Sequence, residues 1–122
     1  MPNTVLYHNP RCSKSRQAVA FLEQNNVQFE IHEYLKNPLT IDQLEQVFNA
    51  LKNNHALIDA HAMIRKKETE YKQANLSNES TDGQVLTAIA KYPKLLERPI
   101  LLVENNAAIG RPLENIEALV GD

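Results

Sequence analysis

A strand, a helix and a second strand follow one another at the start of this chain, and that order restricts the fold more than any other feature of the sequence. Thr4 to Tyr7 reads as a short strand. Ser13 to about Gln24 reads as a helix, because Ser15, Ala18, Val19 and Leu22 recur at i, i+3, i+4 and i+7 on one face and the turn-forming Asn25-Asn26 follows. Val27, Phe29 and Ile31 then alternate with Gln28, Glu30 and His32, the period of a strand buried on one side. Two strands joined by a helix imply parallel pairing through a right-handed crossover, and hence an α/β sheet. His32 falls on the polar side of the alternation and reads as a surface residue.

Pro38 breaks this pattern, and Thr40-Ile41-Asp42-Gln43 has the form of a capping box opening a helix with Ile41, Leu44, Val47, Phe48 and Leu51 on its apolar face. Ala56 to Ile64 and Glu68 to Ala74 read as shorter helices. Thr81 with Gln84 repeats the capping signature ahead of Val85, Leu86 and Ile89, and Tyr92-Pro93 stops that helix. The stretch from about 37 to 93 is too regular for a linker, so it is expected to be a helical insertion beside the sheet, within one domain spanning 1–122. Strands return with Pro99-Ile100-Leu101-Leu102-Val103 and Ala107-Ala108-Ile109, joined at Asn105-Asn106 into an antiparallel hairpin. Gly110-Arg111-Pro112 leads into a last helix with Ile116, Leu119 and Val120 facing inward.

The chemistry concentrates in Tyr7-His8-Asn9-Pro10-Arg11-Cys12-Ser13-Lys14-Ser15-Arg16, where the first strand gives way to the first helix. An ordinary thiol is only a few per cent thiolate near neutral pH and is a poor nucleophile. Cys12 falls at or next to the helix N-cap, where unpaired backbone N–H groups and the positive end of the helix dipole favour an anion. His8, Arg11, Lys14 and Arg16 lie close enough in sequence to add to that effect. Flanked by Pro, Arg, Ser and Lys rather than apolar residues, this cysteine reads as reactive and not as core filler.

A net charge of −2 and a pI near 6.1 argue against broad binding to nucleic acid. One cysteine allows no internal disulfide, Met1-Pro2-Asn3-Thr4 lacks the basic and apolar regions of a signal peptide, and no apolar run approaches the roughly 20 residues of a membrane helix. A cytoplasmic protein that neither spans nor anchors in a membrane is expected. His55 and His61 have no carboxylate or cysteine at ligand spacing, so no metal site is expected. Arg65 sits in the basic run Ile64-Arg65-Lys66-Lys67-Glu68, which by itself reads as a solvated helix end, and Arg98 and Arg111 by themselves read as surface arginines.

The order of elements, with a cysteine at the first helix N-terminus, resembles the thioredoxin-like (glutaredoxin-like) fold, a mixed sheet here carrying an inserted helical subdomain. His8-Asn9-Pro10-Arg11-Cys12-Ser13-Lys14-Ser15-Arg16, Leu96-Glu97-Arg98-Pro99-Ile100 and Ile109-Gly110-Arg111-Pro112 together resemble the motifs of the glutaredoxin-linked arsenate reductase family. Arg11, Ser13 and Lys14 make the loop more basic than in the best-characterised members and place it nearer the chromosomal branch. The resemblance implies that Cys12 is the nucleophile, that His8 helps to hold it as thiolate, and that Arg65, Arg98 and Arg111 bind an oxyanion. Ser15 and Arg16 are secondary candidates in the loop. It further implies a cis Arg98-Pro99 bond, arsenate or a similar oxyanion as substrate, no bound cofactor, glutathione as co-substrate and glutaredoxin as partner.

Guanidinium forks suit a tetrahedral oxyanion as they suit phosphate, and neutralising it lets a thiolate approach. Three other readings stand beside this one. A glutathione-dependent oxidoreductase of another small substrate would use the same residues. An RNA-polymerase-binding regulator of the same fold would sense redox state through Cys-x-x-Cys, where this chain has Cys12-Ser13-Lys14-Ser15. A low-molecular-weight phosphatase loop needs Cys-x5-Arg, and Cys12 to Arg16 leaves only three intervening residues.

Overall fold

The computed structural model describes residues 4–120; the opening Met1-Pro2-Asn3, read above for targeting signals, lies outside them. Strand β1 (Thr4–His8) leads through the cysteine loop into α1 (Ser13–Gln24) and on to β2 (Glu30–Glu33), which pairs parallel with β1 as the strand-helix-strand order requires. After the helical segment, β3 (Ile100–Val103) runs antiparallel to β1, and β4 (Asn106–Ile109) antiparallel to β3, giving the mixed order β2-β1-β3-β4. Arg98-Pro99 is cis, as the resemblance implied, and Arg111-Pro112 is cis as well.

The sheet separates two cores because successive side chains on a strand point to opposite faces. Leu6 and Leu101 pack on one face with Ala18 and Leu22 of α1 and with Ile116 of α5 (Glu114–Val120). Tyr7, Ile100 and Leu102 pack on the other face against α2 (Ile41–Asn54) and α4 (Asp82–Lys91). Leu44, Val47, Phe48 and Leu51 of α2 are all buried, and burial of a side chain of this size stabilises by about 1.5–3 kcal/mol. Ile41, which the periodicity puts on that face, is instead 44% exposed at the first position of the helix.

Both capping boxes form. The Thr40 and Thr81 hydroxyls accept from the backbone N–H groups of Gln43 and Gln84 at 3.1 and 3.2 Å, and the two glutamine side chains accept in return from the threonine N–H groups. The predicted helix over Ala56 to Ile64 is only a 3-10 turn, Ala60–Met63, started by the Asp59 carboxylate accepting from His61 N at 3.0 Å. Leu57 ahead of it is 91% exposed, so the apolar residues of that stretch do not form a continuous face. Helix α3 is shortened to Thr69–Gln73.

The second strand also departs from its pattern. It begins at Glu30 and leaves Ile31 48% exposed, while Val27 and Phe29 pack against the α1 side of the sheet from the preceding loop. β2 is an edge strand, paired only with β1, and Ile31, although in register with Leu6 on the α1 face, stays half open to solvent at that edge. His32 is accordingly half-buried rather than a surface residue: its ring lies 5.2 Å from that of Tyr7, and its Nε2 hydrogen-bonds the Asn37 carbonyl at 2.6 Å. No helix among the described residues is long and apolar enough to cross a membrane.

Candidate active site

The strand directions decide what meets Cys12. β1 runs towards the cysteine loop, β3 runs back from it, and β4 runs towards it again, with Tyr7, Ile100 and Ile109 in register. Residues following β1, preceding β3 and following β4 therefore lie at one end of the sheet. These are Cys12, Arg98 and Arg111.

Cys12 is the N-cap of α1 and is 8% exposed. Its own N–H bonds the Asn9 carbonyl at 3.0 Å, and its carbonyl accepts the Arg16 N–H at 3.0 Å, the first bond of the helix. The cap makes no side-chain hydrogen bond of its own, which leaves the sulfur free to receive donors. Burial pushes the thiol up, but the Ser15 and Lys14 backbone N–H groups and the Arg98 guanidinium together outweigh it and bring the thiol from an ordinary 9.0 down to about 7. Arg111 also donates from Nη2 to Sγ at 3.4 Å.

The side chains of Ser15 and Arg16 brace the loop. The fully buried Ser15 hydroxyl accepts from Asn9 N at 3.3 Å, and Arg16 Nη1 donates to the Pro10 carbonyl at 3.0 Å. His8 ends β1, 7% exposed, with its Nδ1 unpartnered among the described residues. Burial lowers its pKa, opposed by Glu33 and reinforced by Arg16, so the ring is neutral at neutral pH. Among the described residues His8 makes no hydrogen bond to Cys12, and it is not among the groups that shift the thiol, so the support for the thiolate that the resemblance implies for it is not seen here.

Arg65 reaches the same end of the molecule from the helical segment. Ile64 and Leu96 form an isolated antiparallel bridge, with Arg65 N donating to Leu95 O and Glu97 N to Met63 O, each at 2.7 Å. Arg65 is therefore no solvated helix end: its Nε pairs with Glu68 Oε2 at 3.2 Å and its Nη1 with Glu97 Oε1 at 3.3 Å. The neighbouring Lys66 bonds Asn78 Oδ1 instead, at 2.7 Å.

Two residues with no assigned role in the sequence belong to this centre. Glu97 pairs with Arg111 Nε at 3.2 Å as well as with Arg65, and accepts from Arg98 N at 3.1 Å. Its position beside Arg98 in Leu96-Glu97-Arg98-Pro99 was the only signal available. Tyr34, 1% exposed, lies within the fields of Arg98, Cys12, Arg65 and Glu97, and burial pushes its hydroxyl up to about 12, so it stays protonated. Arg98 keeps a buried Nε with no acceptor among the described residues. A buried guanidinium N–H without a partner is costly.

A family model described as ArsC family matches residues 7–119. The arsenate reductase of Neisseria meningitidis serogroup B is 46% identical over 121 residues, covering 98% of this chain and 100% of that protein. The protein YfgD of Escherichia coli K12, described as uncharacterized, is 39% identical over 117 residues, 95% of each chain. Among solved structures, the arsenate reductase from Vibrio cholerae superposes with a TM-score of 0.83 at 36% identity, over 95% of this chain and 97% of that one.

Proposed function

Because the chain belongs to the ArsC family, we propose that it is an arsenate reductase that works through a Cys12 thiolate and takes its electrons from glutathione and glutaredoxin. The observation that carries this reading is the meeting of a thiol lowered to about 7 with Arg98, Arg111 and Arg65 at one end of the sheet. A thiolate alone would be repelled by an arsenate anion. Guanidinium groups beside the sulfur offset that repulsion and offer paired donors to a tetrahedral oxyanion.

The reaction follows from these parts. Arsenate binds with its oxygens on free N–H groups of Arg98, Arg111 and Arg65, and the Cys12 thiolate attacks arsenic. An As–S bond forms and one oxygen leaves as water after protonation. A glutathione thiolate then attacks the Cys12 sulfur: the As–S bond breaks with its electron pair staying on arsenic, so As(V) becomes As(III), and a Cys12–glutathione disulfide forms. Glutaredoxin with further glutathione reduces that disulfide and returns the thiol.

The test is arsenite release by purified protein supplied with arsenate, glutathione, glutaredoxin and NADPH-linked recycling. Release in wild type and none in Cys12→Ser is expected. Efficient formation of the Cys12–glutathione disulfide with no arsenite produced would reject arsenate and direct the same thiol chemistry to another small substrate.

A further inference from the structure

The arginines of the site are not independent side chains that happen to converge. One carboxylate oxygen, Glu97 Oε1, lies 3.3 Å from Arg65 Nη1, 3.2 Å from Arg111 Nε and 3.1 Å from Arg98 N. These contacts come from three separate parts of the chain: the helical segment, the turn before β3 and the turn after β4. Glu97 is itself pinned, since its N–H donates to Met63 O at 2.7 Å. Arg111 illustrates the consequence, because its Nε side faces Glu97 and the Arg98 carbonyl, 2.7 Å away, while its Nη2 reaches Cys12 Sγ at 3.4 Å. With one edge of the guanidinium held, the other edge is directed at the sulfur.

We infer that Glu97 is the positioning residue of the oxyanion site, and that it acts through the placement of this single acceptor oxygen rather than through its negative charge. The inference rests on the arsenate-reductase reading for the identity of the anion. A carboxylate among anion-binding arginines is electrostatically unhelpful: its charge opposes both the thiolate and the oxyanion. Its presence is accounted for by geometry. It holds three flexible or turn-borne elements in one arrangement before the anion arrives, so that less conformational freedom is lost on binding. Oε1 alone makes all three contacts, so a neutral acceptor at the same reach should serve as well.

Glu97→Gln and Glu97→Asp separate placement from charge. Gln keeps an acceptor oxygen at the same distance from the backbone and loses the charge; Asp keeps the charge and draws the oxygen back by one methylene. The first measurement is the rate at which iodoacetamide alkylates Cys12, followed against pH and against added arsenate, with thermal denaturation of each variant as a control on folding. The second is KM and kcat for arsenite release. Glu97→Gln should retain protection by arsenate at least as strong as wild type, whereas Glu97→Asp should need roughly tenfold more arsenate for the same protection and show a KM raised by a similar factor. Its alkylation midpoint, about 7 in wild type, should also move up as Arg111 loses its anchor and with it the Nη2 contact to Sγ. Wild-type behaviour in both variants, impairment of Glu97→Gln alone, or equal impairment of both would overturn the inference. Absence of arsenite release from wild type would remove arsenate as substrate, and the alkylation profiles, which require no turnover, would still judge Glu97.

Discussion

At the scale of single residues, the chemistry depends on how the Cys12 sulfur comes to be ionised. The Ser15 and Lys14 backbone N–H groups and the guanidinium of Arg98 favour its anion and together overcome the opposing effect of burial, and Arg111 Nη2 donates to it at 3.4 Å. Arg98→Ala should therefore raise the alkylation midpoint of Cys12 from about 7 towards the ordinary 9.0, and an unchanged midpoint would show that the helix terminus and Arg111 suffice without it. The same shift links to stability, with a definite sign. A folded-state pKa below the unfolded one means that the thiolate favours the fold. That contribution is complete above about 9, and it is lost as pH falls through about 7. Compared with Cys12→Ser, the wild-type protein should gain stability between those two pH values in denaturant titrations; a parallel pH dependence of the two proteins would contradict it. Cys12 was legible in the sequence from its place at a strand-helix boundary among polar and basic residues, whereas Arg98 and Arg111 by themselves read as surface arginines and were marked only by the family resemblance of their Arg-Pro motifs. Glu97 was not legible, since its partners Arg65 and Arg111 are distant along the chain and a lone glutamate before an arginine looks like any surface ion pair. Tyr34 was hidden for a similar reason, lying in the short connection after β2 with no periodicity to mark it.

At the scale of elements, helices with caps were readable and short or edge elements were not. Helices α2 and α4 announced themselves by Thr-x-x-Gln boxes and by apolar faces that the structure buries. Thr40→Ala should cost about 1 kcal/mol in urea unfolding and leave Cys12 alkylation unchanged, because the cap lies in the helical segment and supports no site residue directly. β2 misled because an edge strand can leave an apolar residue such as Ile31 outside, and Ala56 to Ile64 misled because a 3-10 turn needs only Asp59 to start it. The turn after β4 carries a tighter constraint. A Cβ built on Gly110 would come within 2.6 Å of Ile116 Cδ1 and 2.9 Å of Pro99 Cγ, so even alanine would have to displace both of them. Pro99 follows Arg98 and Gly110 precedes Arg111, with Gly110 N donating to Pro99 O at 2.8 Å. Gly110→Ala should thus destabilise the protein by about 1–3 kcal/mol and also weaken anion protection of Cys12, by separating the two arginine turns. Loss of stability with unimpaired protection would show that the turns are positioned independently of this contact.

At the scale of the whole molecule, the sheet order brings the cysteine and arginine turns to one end, and the chain holds one thiol. The parallel pair and the antiparallel hairpin were legible; the antiparallel pairing of β3 with β1, which puts the residues after β1, before β3 and after β4 together, was not in the periodicity and came only with the resemblance to the thioredoxin-like fold. The route of Arg65 into the site was not legible, because it depends on the Ile64–Leu96 bridge formed by two irregular segments. A single cysteine then limits how far the protein can go unaided. Once Cys12 has formed a bond to arsenic or has been oxidised, no second thiol in the chain can attack it, and reduction of As(V) to As(III) requires two electrons that one thiol cannot supply as a disulfide. Protein and arsenate without glutathione should accordingly yield at most one equivalent of adduct and no sustained arsenite release. Glutathione should convert that adduct to a mixed disulfide, visible by mass spectrometry as one added glutathione at Cys12. Glutaredoxin should then restore turnover, and thioredoxin with its reductase should do so poorly, because the sulfur to be freed carries glutathione. Continued arsenite production with no added thiol, or equal activity with Cys12 replaced by serine, would refute a cycle that must borrow its second sulfur from outside the chain.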